Sequence, residues 1–186
     1  MIELPAFLND AHEVLTPQGF TCTNTWYHGT SSALIESIQS QGLKRSGDQA
    51  LREAAKKTMA TIGDRLSEHP EPVFLTPSKA LAYYWALQTV QNRKLRFHGD
   101  EAPVVLAVTL TDDINAAVKP DVGAASLLLL QEGEQYLAYL VGLYQDQGLT
   151  PPEIDLMKAQ RMDYLNRLGM AYIDQDIPAN CIQPLT

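Results

Sequence analysis

The stretch 102–110, APVVLAVTL, constrains the fold of this chain more than any other. It is a continuous apolar run rich in β-branched residues. A half-buried strand alternates apolar and polar side chains, whereas an unbroken apolar run suits a strand covered on both faces, in the middle of a sheet. Such a strand needs neighbours, and the other strand signals are short and scattered. They are TCTNTWYHGT at 21–30, VFLT at 73–76, and AYID and CIQPL near the C-terminus.

Helical signals lie between them without alternating one for one. Residues 6–16 are weakly helical. Thr30, Ser31 and Ser32 offer capping oxygens to a helix whose buried side is Leu34, Ile35 and Ile38, with Gly42 at its end. Residues 48–67 are mostly good helix formers, and the prolines of 69–72 break the chain. Thr76-Pro77 reads as cap and first turn of a helix running to about residue 90. Residues 124–145 read as one long helix with Leu137, Leu140, Val141 and Tyr144 on a stripe, and Pro151-Pro152 opens another that Gly169 ends. The arrangement predicts an α+β fold rather than a doubly wound sheet.

The 186 residues suffice for one domain with a substantial core. Fourteen Lys and Arg against 22 Asp and Glu give a net charge of −8, which repels phosphate backbones and argues against non-specific nucleic-acid binding. Four scattered histidines and two cysteines 159 residues apart offer no metal-ligand spacing, so no metal site is expected. The N-terminus lacks a basic signal region, and the longest apolar run, GAASLLLL, is far too short to span a membrane. A reducing, cytoplasmic location without a membrane partner is the expectation. Delivery by a specialised secretion system would leave no trace in these features.

The stretch that invites a chemical reading is WYHGTSSALIESIQSQGL, 26–43, where His28 stands between two aromatics and Gly-Thr. Alone it supports a strand, a turn at Gly29 and a capped helix. With FLTPSKALAYY (74–84), VVLAVTL (104–110) and IDQDIPAN (173–180) following in order, the chain resembles the ADP-ribosyltransferase superfamily, including its RNA 2′-phosphotransferase branch. The resemblance covers residues 26–45, 73–86, 103–110 and 171–183, under half of the chain. It implies a split, mostly antiparallel sheet within one domain spanning 1–186, with 46–72 and 111–168 as inserted or additional helical segments.

It also implies a pocket for NAD, the donor in transfer of ADP-ribose to a protein or nucleic-acid target that the residues do not identify. By resemblance, His28 hydrogen-bonds the adenosine-side ribose and Gly29 offers backbone groups to the carboxamide. Tyr83 stacks on the nicotinamide ring, with Tyr84 the alternative in register. Thr30 and Thr76 are polar positions of the same pocket. Ala80, Tyr83, Tyr84 and Leu87 also fall at i, i+3, i+4 and i+7, so both tyrosines equally suit a buried helix face.

The family's glutamate on a late strand, which grips the nicotinamide-side ribose, has no counterpart at 170–172. The nearest polar residues are Asp174, Gln175 and Asp176, and Gln175 is taken for the catalytic place. The phosphotransferase alternative would use Lys44-Arg45 for phosphate, but Phe74 stands where that branch has a histidine. A third reading is a catalytically degenerate binding module.

Overall fold

A computed structural model of the chain describes residues 2–61, 70–155 and 158–186, with only the backbone described for 58–61. Helix α1 (Ala11–Val14) leads into a two-stranded hairpin, β1 (Leu15–Thr16) and β2 (Gly19–Phe20). Strand β3 (Thr25–Ser31) is followed by a 3-10 turn and helix α2 (Ile35–Gln41), then helix α3 (Gln49–Thr61). The remainder of the helix expected to residue 67 lies outside the described residues. Strand β4 (Val73–Leu75), helix α4 (Lys79–Lys94) and strand β5 (Pro103–Thr109) complete the first half. Helix α5 (Asp112–Asn115), strand β6 (Lys119–Pro120), helices α6 (Ala124–Leu128), α7 (Gln131–Asp146) and α8 (Arg161–Asn166), and strands β7 (Ala171–Ile173) and β8 (Ile182–Pro184) form the second.

The apolar run 102–110 becomes β5, the middle strand of a sheet ordered β3-β5-β8, with antiparallel partners on both edges. Val105, Leu106 and Val108 are buried, as the unbroken pattern requires. A second antiparallel sheet runs β4-β7-β6. One bridge joins the two, Tyr27 to Thr76, through backbone hydrogen bonds of 2.8 and 3.0 Å in both directions. The molecule is therefore α+β with antiparallel sheets, and its two three-stranded sheets part beyond that bridge.

Helix α4 packs across β3 and β5. The approach is closest at Gly29, where a Cβ would lie 2.0 Å from the Ala82 carbonyl oxygen and 2.5 Å from the Ala86 nitrogen. Both obstacles are backbone, so only glycine lets strand and helix meet there. Gly29 is thus not the turn expected from sequence: β3 continues through it to Ser31. Gly42 is a second obligatory glycine, with φ of +81° at the end of α2. Leu43 and Ile177 then exchange backbone hydrogen bonds of 2.9 Å, tying the Gly-Leu motif to IDQDIPAN.

Four further expectations are corrected. Helix α4 starts at Lys79, capped by Ser78, not at Pro77 after Thr76. The reason is Asp10, buried beneath that end: Oδ1 accepts from the Ser78 hydroxyl at 2.8 Å and Oδ2 from the Lys79 N–H at 2.7 Å. The long helix 124–145 divides into α6 and α7, since Leu130 adopts extended backbone between them. Among the described residues the helix after Pro151-Pro152 is α8, which starts at Arg161, where Gln160 and Asp163 form a capping box. Finally, 111–168 is not purely helical, because it contributes β6 to the second sheet.

Buried tyrosines fix α7 against its neighbours. The Tyr136 hydroxyl donates to the Leu168 carbonyl, Tyr144 to Arg167 at 3.0 Å, and Tyr139 to Ala80 at 3.1 Å. These bonds satisfy the one polar atom of each ring inside an otherwise apolar cluster. Desolvation pushes the Tyr144 phenol up to about 12.

Candidate functional site

Where β3 and β4 part, a cleft of about 810 Å³ opens between the two sheets, α4 and the β6–α6 connection. That volume lies in the range of about 300–1,000 Å³ typical of small-molecule sites. Tyr27, His28 and Gly29 of β3 line it, as do Phe74, Leu75 and Thr76 around the end of β4.

The position of His28 follows from its strand. In an antiparallel ladder backbone groups alternate between the two edges. Tyr27 bonds Thr76 of the β4 side, so Gly29, two residues on, turns its N–H and C=O toward that same side, where β4 has moved away. The His28 ring reaches across this gap, and its Nδ1 lies 2.8 Å from the Phe74 carbonyl oxygen. A carbonyl only accepts, so Nδ1 carries the proton in the bond. Burial lowers the imidazole pKa, outweighing the Phe74 bond, which acts the other way. A neutral, Nδ1-protonated His28 leaves Nε2 as a hydrogen-bond acceptor.

Helix α4 presents Trp85, Gln88, Thr89 and Asn92 to the cleft, at i, i+3, i+4 and i+7. Trp85 is fixed by Tyr136, stacked at 4.9 Å between centroids and 27° between planes, and by the edge of Tyr84 at 5.1 Å. The far wall comes from Asp121, Gly123, Ala124 and Leu127, and the floor from Met170, Ala171 and Tyr172, with Asp174 beyond. Asp121 is anchored by its own N–H to the Met170 carbonyl at 3.0 Å, and its Oδ1 accepts from the Ala124 N–H at 3.3 Å. Burial raises its carboxyl pKa, and the Ala124 and Gly123 N–H groups oppose that rise.

The sequence-derived residues divide accordingly. His28, Gly29 and Thr76 meet on the cleft. Thr76 is buried, and its hydroxyl accepts from the Ser78 N–H at 3.4 Å. Thr30 is buried in β3 and is not among the cleft-lining residues. Tyr83 lies away from the cleft, packed with Leu8, Ala82 and Val105. Its register alternative Tyr84 is a core residue, stacked on Tyr139 at 5.3 Å. Gln175 is half-buried and does not line the cleft; its neighbour Asp174 does.

Lys44 and Arg45 are engaged elsewhere. Lys44 Nζ is 3.4 Å from Asp176, Arg45 stands 3.7 Å from both Asp174 and Asp176, and the Arg45 N–H donates to Asp176 Oδ1 at 3.0 Å. That backbone bond, with Lys44 and Arg45 beside it, holds the Asp176 carboxyl below its ordinary pKa. Among the described residues no Lys or Arg lines the cleft.

Trp85, its polar companions on α4, Asp121 and Tyr172 were not found from sequence. The α4 stripe had a usable signal, since an indole, two amides and a hydroxyl at helical spacing are unusual on a helix that packs on a sheet. Asp121 had none beyond an ordinary Pro-Asp-Val-Gly turn. Among the described residues no His, Cys, Asp and Glu cluster suited to a metal ion occurs, and no helix is long and apolar enough to cross a membrane. Comparison with known proteins found no matching family model, curated protein or solved structure.

Proposed function

We propose that this chain is an ADP-ribosyltransferase-like protein that binds NAD in the cleft and transfers ADP-ribose to a macromolecular target. The observation that carries the reading is the parting of the antiparallel sheet beyond Tyr27–Thr76, which leaves His28 and Gly29 together on an open cleft. In this reading Nε2 of His28 accepts a ribose hydroxyl, and the Gly29 backbone meets the carboxamide. The nicotinamide–ribose bond then breaks with both electrons going to the ring nitrogen. Neutral nicotinamide leaves, and a nucleophile of the target adds at the anomeric carbon with loss of its proton.

Trp85 takes the ring-stacking part that the family resemblance gives to Tyr83, because the indole lines the cleft and the Tyr83 ring does not. The described residues of 111–168 wall the cleft without filling it, which supports ligand binding over a purely scaffolding module. Among the described residues no cation lines the cleft and Lys44 and Arg45 are held by aspartates, which disfavours a site built for a 2′-phosphate. The test is titration with NAD, followed by detection of released nicotinamide in the presence of cell extract. Binding that His28→Ala weakens at least about tenfold supports the proposal. A chain that neither binds nor consumes NAD overturns it.

A further inference from the structure

The cleft has an electrostatic character that the NAD reading alone does not require. Its acidic lining residues are Asp121 and Asp174, in the same cleft as His28, with no lining Lys or Arg among the described residues. Asp174 is exposed and has Arg45 at 3.7 Å. Asp121 is half-buried, and among the described residues it forms no salt bridge with a Lys, Arg or His. Its Oδ1 accepts the Ala124 N–H at the start of α6, as Asp10 accepts the Lys79 N–H at the start of α4. Asp48 and Glu101, by contrast, meet Arg93 at 2.5 and 2.7 Å. A partly desolvated carboxylate with no counter-charge costs stability, and such groups concentrate where ligands bind. The same cleft holds Trp85, whose ring is locked by Tyr136. A carboxylate and an aromatic ring sharing a cleft that no Lys or Arg lines among the described residues suit a cation better than an anion or a neutral ring.

We propose that Asp121 and Trp85 form a subsite for a flat organic cation, the carboxylate supplying the counter-charge and the indole the stacking surface. For the identity of that cation the inference rests on the NAD reading, where the positively charged pyridinium ring of NAD is the natural occupant. It goes further by assigning recognition of the ring's charge to Asp121, on the β6–α6 connection, within the part of the chain that resembles no family. Phosphates of a dinucleotide would find no lining cation among the described residues, which leaves the ring end as the charged anchor.

The test uses pairs of probes that differ in charge. 1-Methylnicotinamide (cationic) and nicotinamide (neutral) are titrated into the wild-type protein, Asp121→Asn and Trp85→Leu, alongside NAD and NADH. Asparagine keeps an oxygen for the Ala124 N–H, so Asp121→Asn should melt no lower than wild type. The expected result is about fivefold tighter binding of the cationic member of each pair. That preference should vanish in Asp121→Asn, and overall affinity should fall in Trp85→Leu. Equal binding of charged and neutral probes, no binding of either small probe, or a preference that survives Asp121→Asn overturns the proposal. A preference for 1-methylnicotinamide without any NAD binding would keep the subsite and remove the NAD reading. His28-dependent NAD consumption indifferent to Asp121→Asn would do the reverse.

Discussion

His28 illustrates how one bond sets a residue's chemistry. The Phe74 carbonyl fixes the tautomer, and desolvation keeps the ring neutral. Because the folded-state pKa lies below the ordinary value of 6.5, the unfolded chain binds more protons in the window just below that value. Stability from this group is therefore fully present above about pH 6.5 and is lost as pH falls through the folded pKa. His28→Asn keeps a donor for Phe74 but cannot titrate, so its melting temperature should fall less than that of wild type between pH 7.5 and 5. Measurement by differential scanning calorimetry checks this. A second prediction separates two aromatic neighbours in sequence. Trp85→Ala should weaken NAD binding at least about tenfold. Tyr83→Leu should leave it within about twofold, since the Tyr83 ring packs against Leu8, Ala82 and Val105 rather than on the cleft. From sequence, Tyr83, Tyr84 and Trp85 were adjacent aromatics on a helix; which of them meets a ligand depends on how that helix is rolled against the sheet.

At the scale of elements, α4 is the part on which the site depends. Its N-terminal end is held by Asp10 from far along the chain, and its flank lies against β3 at Gly29. Gly29→Ala would place a methyl against two backbone atoms of α4, so helix and strand must separate. The expected loss is about 3 kcal/mol or more of unfolding free energy, read from urea denaturation, and the cleft loses its wall with it. The pattern in FLTPSKALAYY showed that a helix follows β4. It could not show the start at Lys79, because the carboxylate caring for that end is 69 residues away and a local reading sees only Thr76-Pro77. The division of 124–145 into α6 and α7 was hidden for a similar reason. Apolar leucines continue across the break, and Leu129 and Leu130 remain exposed there.

For the whole molecule, the tie between the start of α3, the end of α4 and the segment before β5 is the Arg93 cluster. Arg93 bonds Asp48 and Glu101, while Glu101 also accepts from the Ser31 hydroxyl at 2.6 Å at the end of β3. All three charged side chains are largely buried. Removing the cation would leave two sheltered carboxylates unpaired, so Arg93→Met should destabilise by about 3–5 kcal/mol in urea unfolding. The cluster is separate from the cleft, so protein that remains folded should bind NAD as wild type does. Neither the pairing nor its location was legible in sequence, where Asp48, Arg93 and Glu101 are three unremarkable surface-type residues.

Sequence by itself determined the components: a central strand at 102–110, strands around His28 and at 73–75, helices following them, and the α+β class. These follow from hydrophobic periodicity and turn chemistry, which act over a few residues. Only the tertiary structure decided how the sheets part after Tyr27–Thr76, that Gly29 serves close packing rather than a turn, that Trp85 and not Tyr83 lines the cleft, and that Asp121 stands on its far wall. The reason is physical. Which face of a helix meets a ligand, and which distant carboxylate enters a cleft, depend on packing between segments tens of residues apart, and no local pattern encodes that contact.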